Sequence, residues 1–380
     1  MPFRLPTRVH FGSKALGQLG SILESYEHQR ILLVTDAGLQ STEWPGYLTA
    51  KLKDRLFEVT VVDSIEPNPR YSTIDDIAIL ARHSDVELVV GLGGGSVLDA
   101  GKAIAMLLNN EGSILSYEGK NRFFNGSAPF IAIPSTCGTG SEVTWVSVIT
   151  NPDEERKLSI KGDAMFPNEA IVDPDILKTL PASLIAYTGM DAYTHAIEAY
   201  TCNCGNPFSD ALAEKAIALL HTYLVRAFLN IEDTEARVEV MRAATLAGMA
   251  FGNADVAGVH CLSESIGGLY DVPHGLANSI LLHPVFSSHQ PIIKHKLSKL
   301  YTILYPQKAQ ALSTEHASLA LLDSIQQLTS QLDIPSFSSL SIPEADHSRI
   351  ASLSVANNSN SSNPRTMSKT DYLEILQTLG

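Results

Sequence analysis

Asp191 and His195 stand four residues apart in Thr188-Gly-Met-Asp191-Ala-Tyr-Thr-His195-Ala-Ile-Glu198. The stretch reads as the opening turns of a helix, where side chains at i and i+4 share a face and converge on one cation. Downstream, His260 and His274 lie in a Gly-rich, His-bearing segment and can complete a set of one oxygen and three nitrogens for a divalent metal. A local reading competes with this one. With Thr188 as N-cap, Asp191 falls at N3 and caps its own helix, leaving His195 an ordinary half-buried histidine. Spacing alone does not separate the two, because twelve histidines in one chain make accidental pairs common.

A second group of residues could hold an anion. Gly91-Leu-Gly93-Gly94-Gly95-Ser96-Val-Leu-Asp99-Ala-Gly-Lys102 follows an apolar run, Val86-Glu-Leu-Val-Val90, and leads into a helical stretch. Strand, glycine cluster and helix together let bare backbone N–H groups and a helix N-terminus grip a diphosphate. Ala103 after Lys102 rules out a Walker A loop, and Ser96 stands where G-x-G-x-x-G has its last glycine. Ser96 with Asp99 also reads as a simple capping pair. A further strand, Pro129-Phe-Ile-Ala-Ile-Pro134, empties into Ser135-Thr136-Cys137-Gly138-Thr139-Gly140-Ser141-Glu142. Two such loops suit a ligand crevice at the carboxyl edge of a parallel sheet.

The elements that position these loops alternate. Strand-like runs at residues 30–35, 57–62, 86–90, 129–134 and 170–173 are separated by segments of helical periodicity such as residues 73–81. That pattern predicts parallel βαβ units. After about residue 180, long alanine- and leucine-rich helical stretches take over, at residues 209–229 and 234–254. A chain of 380 residues exceeds one ordinary core, so two domains are expected: an α/β dinucleotide-binding domain over 1–180 and an all-helical metal- and substrate-binding domain over 181–380. The polar stretch 357–363 reads as a surface loop before a short final helix from about Lys369.

Composition narrows the class. With 44% hydrophobic and 18% charged residues the chain is a compact globular protein. A formal net charge of −14 argues against nucleic acid or an anionic membrane as the partner. The N-terminal residues lack the pattern of a secretory leader, and no apolar run is long enough to span a bilayer, so a cytoplasmic location is expected. Cys137, Cys202, Cys204 and Cys261 are too few and scattered for a disulfide framework and read as reduced thiols.

Four ordered motifs then carry a resemblance: Gly93-Gly-Gly-Ser96-x-x-Asp99-x-x-Lys102, Pro134-Ser-Thr-x-Gly-Thr-Gly-Ser-Glu142, Gly189-Met-Asp191-x-x-x-His195-x-x-Glu198 and Pro273-His274-Gly275. Together they resemble the iron-containing alcohol dehydrogenase family, from Arg8 to Arg365. The resemblance implies a dinucleotide-binding α/β half, an all-helical half, and a metal held by Asp191, His195, His260 and His274. It further implies Fe²⁺, with Zn²⁺ or Mn²⁺ as alternatives that the same donors accept. Such an ion acts on an alcohol or aldehyde oxygen while NAD carries the hydride. Expected partners are a small alcohol or aldehyde and further copies of the chain, as a dimer or larger homo-oligomer.

By the same resemblance, Gly93, Gly94, Gly95 and Ser96 hold the cofactor diphosphate with Asp99 in the same motif, Thr136 and Thr139 line the cofactor, and Lys157 reaches it. Asp36 sits where an acidic residue accepts from ribose hydroxyls and repels a 2′-phosphate, which favours NAD; its alternative role is a helix cap. Glu264 replaces a histidine common in relatives and stands one turn beyond His260, where it can relay protons, support the metal or pair with a cation. Phe251 resembles a pocket aromatic, Glu198 either orients His195 or makes a helix contact, and His283 reads as structural. A rival function on the same scaffold is a non-redox, metal- and nucleotide-dependent enzyme of the dehydroquinate synthase type. An assembly protein that has lost its chemistry is disfavoured by the complete ligand set.

Overall fold

The computed structural model describes residues 3–26 and 30–379. The chain divides into two compact units: one spans Leu5–Leu180, and the other begins at Pro181 and takes in the described N-terminal residues through Arg4.

In the first unit, six parallel strands form one sheet: β1 (Arg8–Phe11), β2 (Arg30–Val34), β3 (Glu58–Val62), β4 (Leu88–Gly93), β6 (Phe130–Pro134) and β9 (Glu169–Val172). Their order is β1-β9-β6-β4-β2-β3. A smaller sheet, with β5 (Gly119–Lys120) parallel to β8 (Arg156–Lys161) and β7 (Val146–Asn151) antiparallel to it, has no counterpart in the expected elements. Helices α1 (Leu19–Leu23), α2 (Ala37–Gln40), α3 (Trp44–Lys53), α4 (Tyr71–His83) and α5 (Gly95–Asn109) complete the unit.

Both faces of the large sheet are buried along its inner strands β9, β6, β4 and β2, which is why these read as continuous apolar runs. Leu32, Val34, Val89 and Ala132 pack with Ile74 and Ile77 of α4 and Ala103 and Ile104 of α5. The alternate residues Ile31, Leu33, Val90, Leu92 and Ile133 pack with Leu19, Leu23, Leu48 and Leu52. Topology then selects the ligand edge. From β2 the chain steps outward to β3 and then crosses back to β4 on the other side of β2. That reversal makes the carboxyl ends of β2 and β4 the switch point, where connecting loops diverge and leave a crevice. Asp36 and Gly94 lie just beyond those two strand ends.

The second unit is helical among its described residues: α6 (Ala182–Thr201), α7 (Pro207–Leu229), α8 (Thr234–Gly252), α9 (Gly258–Tyr270), α10 (His274–Leu304), α11 (Pro306–Ala309), α12 (Thr314–Gln331), α13 (His347–Ala356) and α14 (Lys369–Gln377), with intervening 3₁₀ turns. No helix of the described residues is long and apolar enough to cross a membrane. Every residue of α6 from 189 to 201 is buried, so this helix is central rather than amphipathic.

Two readings change here. α6 starts at Ala182 with Pro181 at its N-cap, so Thr188 lies inside the helix and cannot cap it, and Asp191 is not at N3. The stretch 357–363 is not a surface loop. It forms a 3₁₀ turn (Asn358–Ser362) in which Ser359 and Ser362 are buried, as is Asn363 just after it. Ser359 and Ser362 donate to the Asp255 carboxylate at 3.3 and 2.5 Å, and Asn203 Nδ2 donates to the carbonyls of Ser361 and Asn363. Short polar side chains supply these hydrogen bonds within the segment and to its neighbours, so low complexity does not mean solvation here.

Candidate metal centre and cofactor loops

Three helices build the metal cluster. α6 places Asp191 and His195 one turn apart, α9 contributes His260 from its first turn, and α10 begins with His274. One donor atom from each of the four residues lies within 4.8 Å of all the others. Asp191, His195 and His260 are buried, and the His274 side chain is 25% exposed, so the cluster opens on that side. The close approach of α10 to α6 depends on Gly275. A Cβ there would sit 2.6 Å from the Tyr187 carbonyl oxygen.

The protonation states suit a cation. Burial pushes His195 down to about 4, so at neutral pH its imidazole is uncharged. Burial opposes ionisation of Asp191, but the neighbouring imidazoles His195, His274 and His260 and the Asn278 N–H hold its carboxyl below the usual range. Burial also presses His260 down, and the hydrogen bond from its Nδ1–H to Glu198 together with the charges of Glu198, Asp191 and Glu264 outweighs it and raises the pKa. With Nδ1–H given to Glu198 Oε2 at 2.6 Å, the neutral ring carries its lone pair on Nε2. That atom lies 3.0 Å from His195 Nε2, while buried His195 Nδ1 makes no hydrogen bond. Crowded nitrogens beside a buried carboxylate fit a divalent ion, since small rotations bring all four donors to the ~2.1 Å of a first-row metal bond.

Glu198 settles a question that its sequence position left open. It holds His260, not His195. Its carboxylate accepts three hydrogen bonds: from His260 Nδ1, from Ala257 N at 2.9 Å and from Val259 N at 2.7 Å. Ala257 is the N-cap of α9, so a side chain of α6 caps that helix and fixes its histidine at once.

Sequence reasoning missed Asn278. It stands one turn after His274 on α10, and its Nδ2 donates to Asp191 Oδ1 at 2.6 Å. The same nitrogen lies 3.2 Å from Nε2 of both His260 and His274. The i, i+4 spacing from a candidate ligand was the available signal, but an amide has no place in the usual ligand patterns. Phe251 stacks on His195 with ring centroids 4.3 Å apart and planes 21° apart, which puts it against the cluster. Glu264 is half-buried one turn past His260 and accepts from Asn357 Nδ2 at 2.6 Å. His283 is half-buried on α10, and burial lowers its pKa.

The first unit assembles the glycine and hydroxyl loops side by side. Gly93 and Pro134 are register partners at the ends of β4 and β6, and Ser135 N donates to Gly93 O at 2.9 Å. Thr136 and Thr139 lie directly over the glycines. A Cβ on Gly95 would meet Thr139 Cγ2 at 2.4 Å, and one on Gly94 would meet Thr136 Cγ2 at 3.1 Å. Gly94 is the N-cap of α5 and no side chain caps that helix, so its first N–H groups suit a phosphate. Ser96 lies within the first turn of α5 and does not form the capping pair with Asp99.

Asp99 faces the other way. Its carboxylate accepts from Ser141 Oγ at 2.6 Å and Val148 N at 2.8 Å and lies 3.2 Å from Lys102 Nζ. Lys102 is fully buried and donates to Ser141 O, Thr144 Oγ1 and Val146 O. This pair ties α5 to the second loop. Asp36 accepts from Leu39 N at 3.0 Å and so caps α2 at the end of β2. Lys157 lies on β8 of the small sheet, where its Nζ donates to Asn68 Oδ1 at 2.8 Å.

Comparison with known proteins agrees along the whole chain. The sequence matches the family description "Iron-containing alcohol dehydrogenase" over residues 6–174 and "Fe-containing alcohol dehydrogenase family, C-terminal" over residues 185–380. It is similar to alcohol dehydrogenase 4 of Saccharomyces cerevisiae, at 37% identity over 77% of each chain. It is also similar to the NAD-dependent methanol dehydrogenase of Bacillus methanolicus, at 31% identity over 99% of this chain and 98% of that one. Among solved structures, a 1,3-propanediol oxidoreductase superposes with a TM-score of 0.96 at 32% identity, covering 100% of this chain and 99% of the other.

Glu198→Gln tests the cluster's support. All three contacts of Glu198 are donors, so an amide NH₂ finds no acceptor except His260 Nδ1, which moves that ring's proton to the metal-facing Nε2. Affinity for Zn²⁺ or Co²⁺, measured by competition with a chromogenic chelator, is expected to fall about 10–100-fold. An unchanged affinity contradicts the assigned role.

Proposed function

Because the chain belongs to the iron-containing alcohol dehydrogenase family, we propose that it works as an NAD-linked alcohol dehydrogenase and aldehyde reductase on a small alcohol or aldehyde. The observation that carries the reading is the convergence of one buried carboxylate and three imidazoles on a single point. The similar proteins act, by their names, on methanol with NAD and on 1,3-propanediol, both small alcohols. Fe²⁺ is the proposed ion, and the donor set also accepts Zn²⁺ or Mn²⁺.

When bound, the ion supplies Lewis acidity to the substrate oxygen, and the nicotinamide exchanges hydride with the adjacent carbon. The chain's own residues do the rest. Asp191, His195, His260 and His274 hold the ion, and Glu198 keeps His260 in the tautomer that can ligate. Backbone N–H groups at Gly94, Gly95 and Ser96 hold the diphosphate at the start of α5, where the bare Gly93 leaves room for Val97 of that helix. Thr136 and Thr139 wall the cofactor, Asp99 with Lys102 keeps their loop in place, and Lys157 donates to the cofactor. Asp36 accepts from the adenosine ribose hydroxyls and repels a 2′-phosphate. Phe251 forms a wall of the alcohol pocket. Glu264, half-buried and bonded to neutral Asn357, passes a proton between the substrate side of α9 and solvent.

Protein loaded with Fe²⁺, Zn²⁺ or Mn²⁺ is expected to form NADH from short alcohols or diols and to consume it with the matching aldehydes, followed by near-ultraviolet absorbance. Chelation abolishes turnover and the ion restores it. A metal-loaded, cofactor-binding protein inert across that panel favours the non-redox reading instead.

Asp36→Asn separates its two roles, because asparagine caps a helix as well as aspartate but carries no charge. Stability to urea stays unchanged, while the preference for NAD over NADP in kcat/KM falls about tenfold, the cost of roughly one lost unit of charge repulsion. If the preference is unaltered, Asp36 is only a cap.

Two substitutions probe the pocket. Glu264→Gln is expected to lower kcat at least about tenfold and flatten its pH dependence. Phe251→Leu keeps an apolar side chain and raises KM more than it lowers kcat. An unaltered kcat and pH profile in the first removes the relay; an unaltered KM in the second returns Phe251 to the core.

A further inference from the structure

Asn278 is placed where no ordinary core asparagine belongs. It is fully buried, and its amide nitrogen lies within 3.2 Å of donor atoms from three different metal-binding residues: Asp191 Oδ1, His260 Nε2 and His274 Nε2. Its Oδ1 is buried with no hydrogen-bond partner. A primary amide has two hydrogens for those three acceptors. Once the two imidazole lone pairs are committed to an ion, the Asp191 oxygen is the acceptor that remains. The 2.6 Å bond is also the shortest of the three.

We propose that Asn278 is a positioning residue of the metal centre. Its N–H fixes the rotation of the Asp191 carboxylate, and its side chain caps the face of the cluster formed by Asp191, His260 and His274. The protein then offers four donors and no fifth on that face, and the approach of a substrate oxygen is confined to the remaining faces. Two features support this beyond the distances. Asp191 and Asn278 come from different helices, so the bond sets the separation of α6 from α10 at the level of the cluster. Glu198, the other buried group that supports a ligand, acts on His260 from its far side, and Asn278 is the side chain outside the four ligands that bonds the Asp191 carboxylate among the described residues.

The inference rests on these four residues binding a divalent ion, and not on which alcohol is turned over. Two variants test it with Co²⁺ as the probe. Asn278→Leu keeps the approximate volume and removes the N–H. Expected are a Co²⁺ dissociation rate raised about 10–100-fold in the presence of excess chelator and an altered visible spectrum. Asn278→Asp keeps the shape and places a second carboxylate oxygen on the capped face. It is expected to add a fifth donor: the visible Co²⁺ absorption weakens as the coordination number rises, release to chelator slows relative to Asn278→Leu, and any turnover falls further than in that variant.

If Asn278→Leu fails to fold, Asn278→Asp alone decides through its spectrum. Wild-type spectra and release rates in both variants overturn the proposal and make Asn278 a packing residue. Failure of the wild-type chain to bind Co²⁺ or Zn²⁺ at all is a separate result, and it overturns the metal reading itself.

Discussion

The carboxylate of Glu198 is the contact on which the helical unit depends. It is 1% exposed, and burial of a carboxylate is costly unless its oxygens are satisfied. Three donors from one neighbouring stretch satisfy it: the Ala257 and Val259 amides and the His260 ring. Removing the carboxylate would orphan two helix-terminal N–H groups, at about 1–3 kcal/mol each, and free the histidine's tautomer. The same atoms thus join α6 to α9, close the start of α9 and prepare one metal ligand. Asp191, His195 and Glu198 recur at i, i+4 and i+7, which places two ligands and this brace on one face of the most buried helix in the unit.

The α/β unit solves a different constraint. Its crevice follows from strand order, since the chain turns back across β2 to reach β4 and the loops on either side of that reversal diverge. For the proposed diphosphate site what must be held is backbone, because N–H groups at a helix start serve a phosphate only where no side chain covers them. Gly95 leaves the space that Thr139 occupies, and the buried Lys102 with Asp99 fixes the loop carrying Thr139. Burial lowers the pKa of Lys102, and the nearby carboxylates Asp99 and Glu142 oppose that shift. A buried cation ringed by carbonyls is poor value as stabilisation compared with apolar packing, but it fixes one loop geometry where an apolar contact would allow several.

What was legible in the sequence follows the range of each signal. The inner strands β2, β4, β6 and β9 of the large sheet were readable because both faces are buried, so burial appears as unbroken apolar runs. Helices α7 and α8 were readable from periodicity over many turns. The ligand set was partly readable: Asp191 and His195 share a helix turn, but His260 and His274 needed the family resemblance to join them. β1 and the small sheet went unseen because short strands with half-exposed faces lack a strong pattern. The start of α6 was misplaced because Thr188 and Asp191 mimic a capping pair, while Pro181 begins the helix seven residues before that threonine. Stretch 357–363 was misjudged on composition, since buried short polar residues and solvated ones look alike in one dimension.

Asn278 and the partner of Glu198 were illegible for a deeper reason. Each acts on a residue more than fifty positions away, and each is defined by its hydrogen-bond partner, not by its type. Local sequence gives helix α10 every reason to carry an apolar residue at 278, since Ala277, Ile280 and Leu281 around it are core. An amide there is a local inconsistency, and such inconsistencies persist where a site requires them. The same test separates the chain's other buried polar groups. Thr194 and Thr201 return their hydroxyls to their own helix, to Met190 O and Ile197 O, and need no ligand to explain them. Asp191, His195, the Nε2 side of His260 and Asn278 instead meet one another and His274, where a cation among them completes the set. A fold in which polar side chains from three helices meet in an apolar core is stable when something binds them together, so metal binding and the packing of this unit are one equilibrium, and the chemistry is inseparable from the fold.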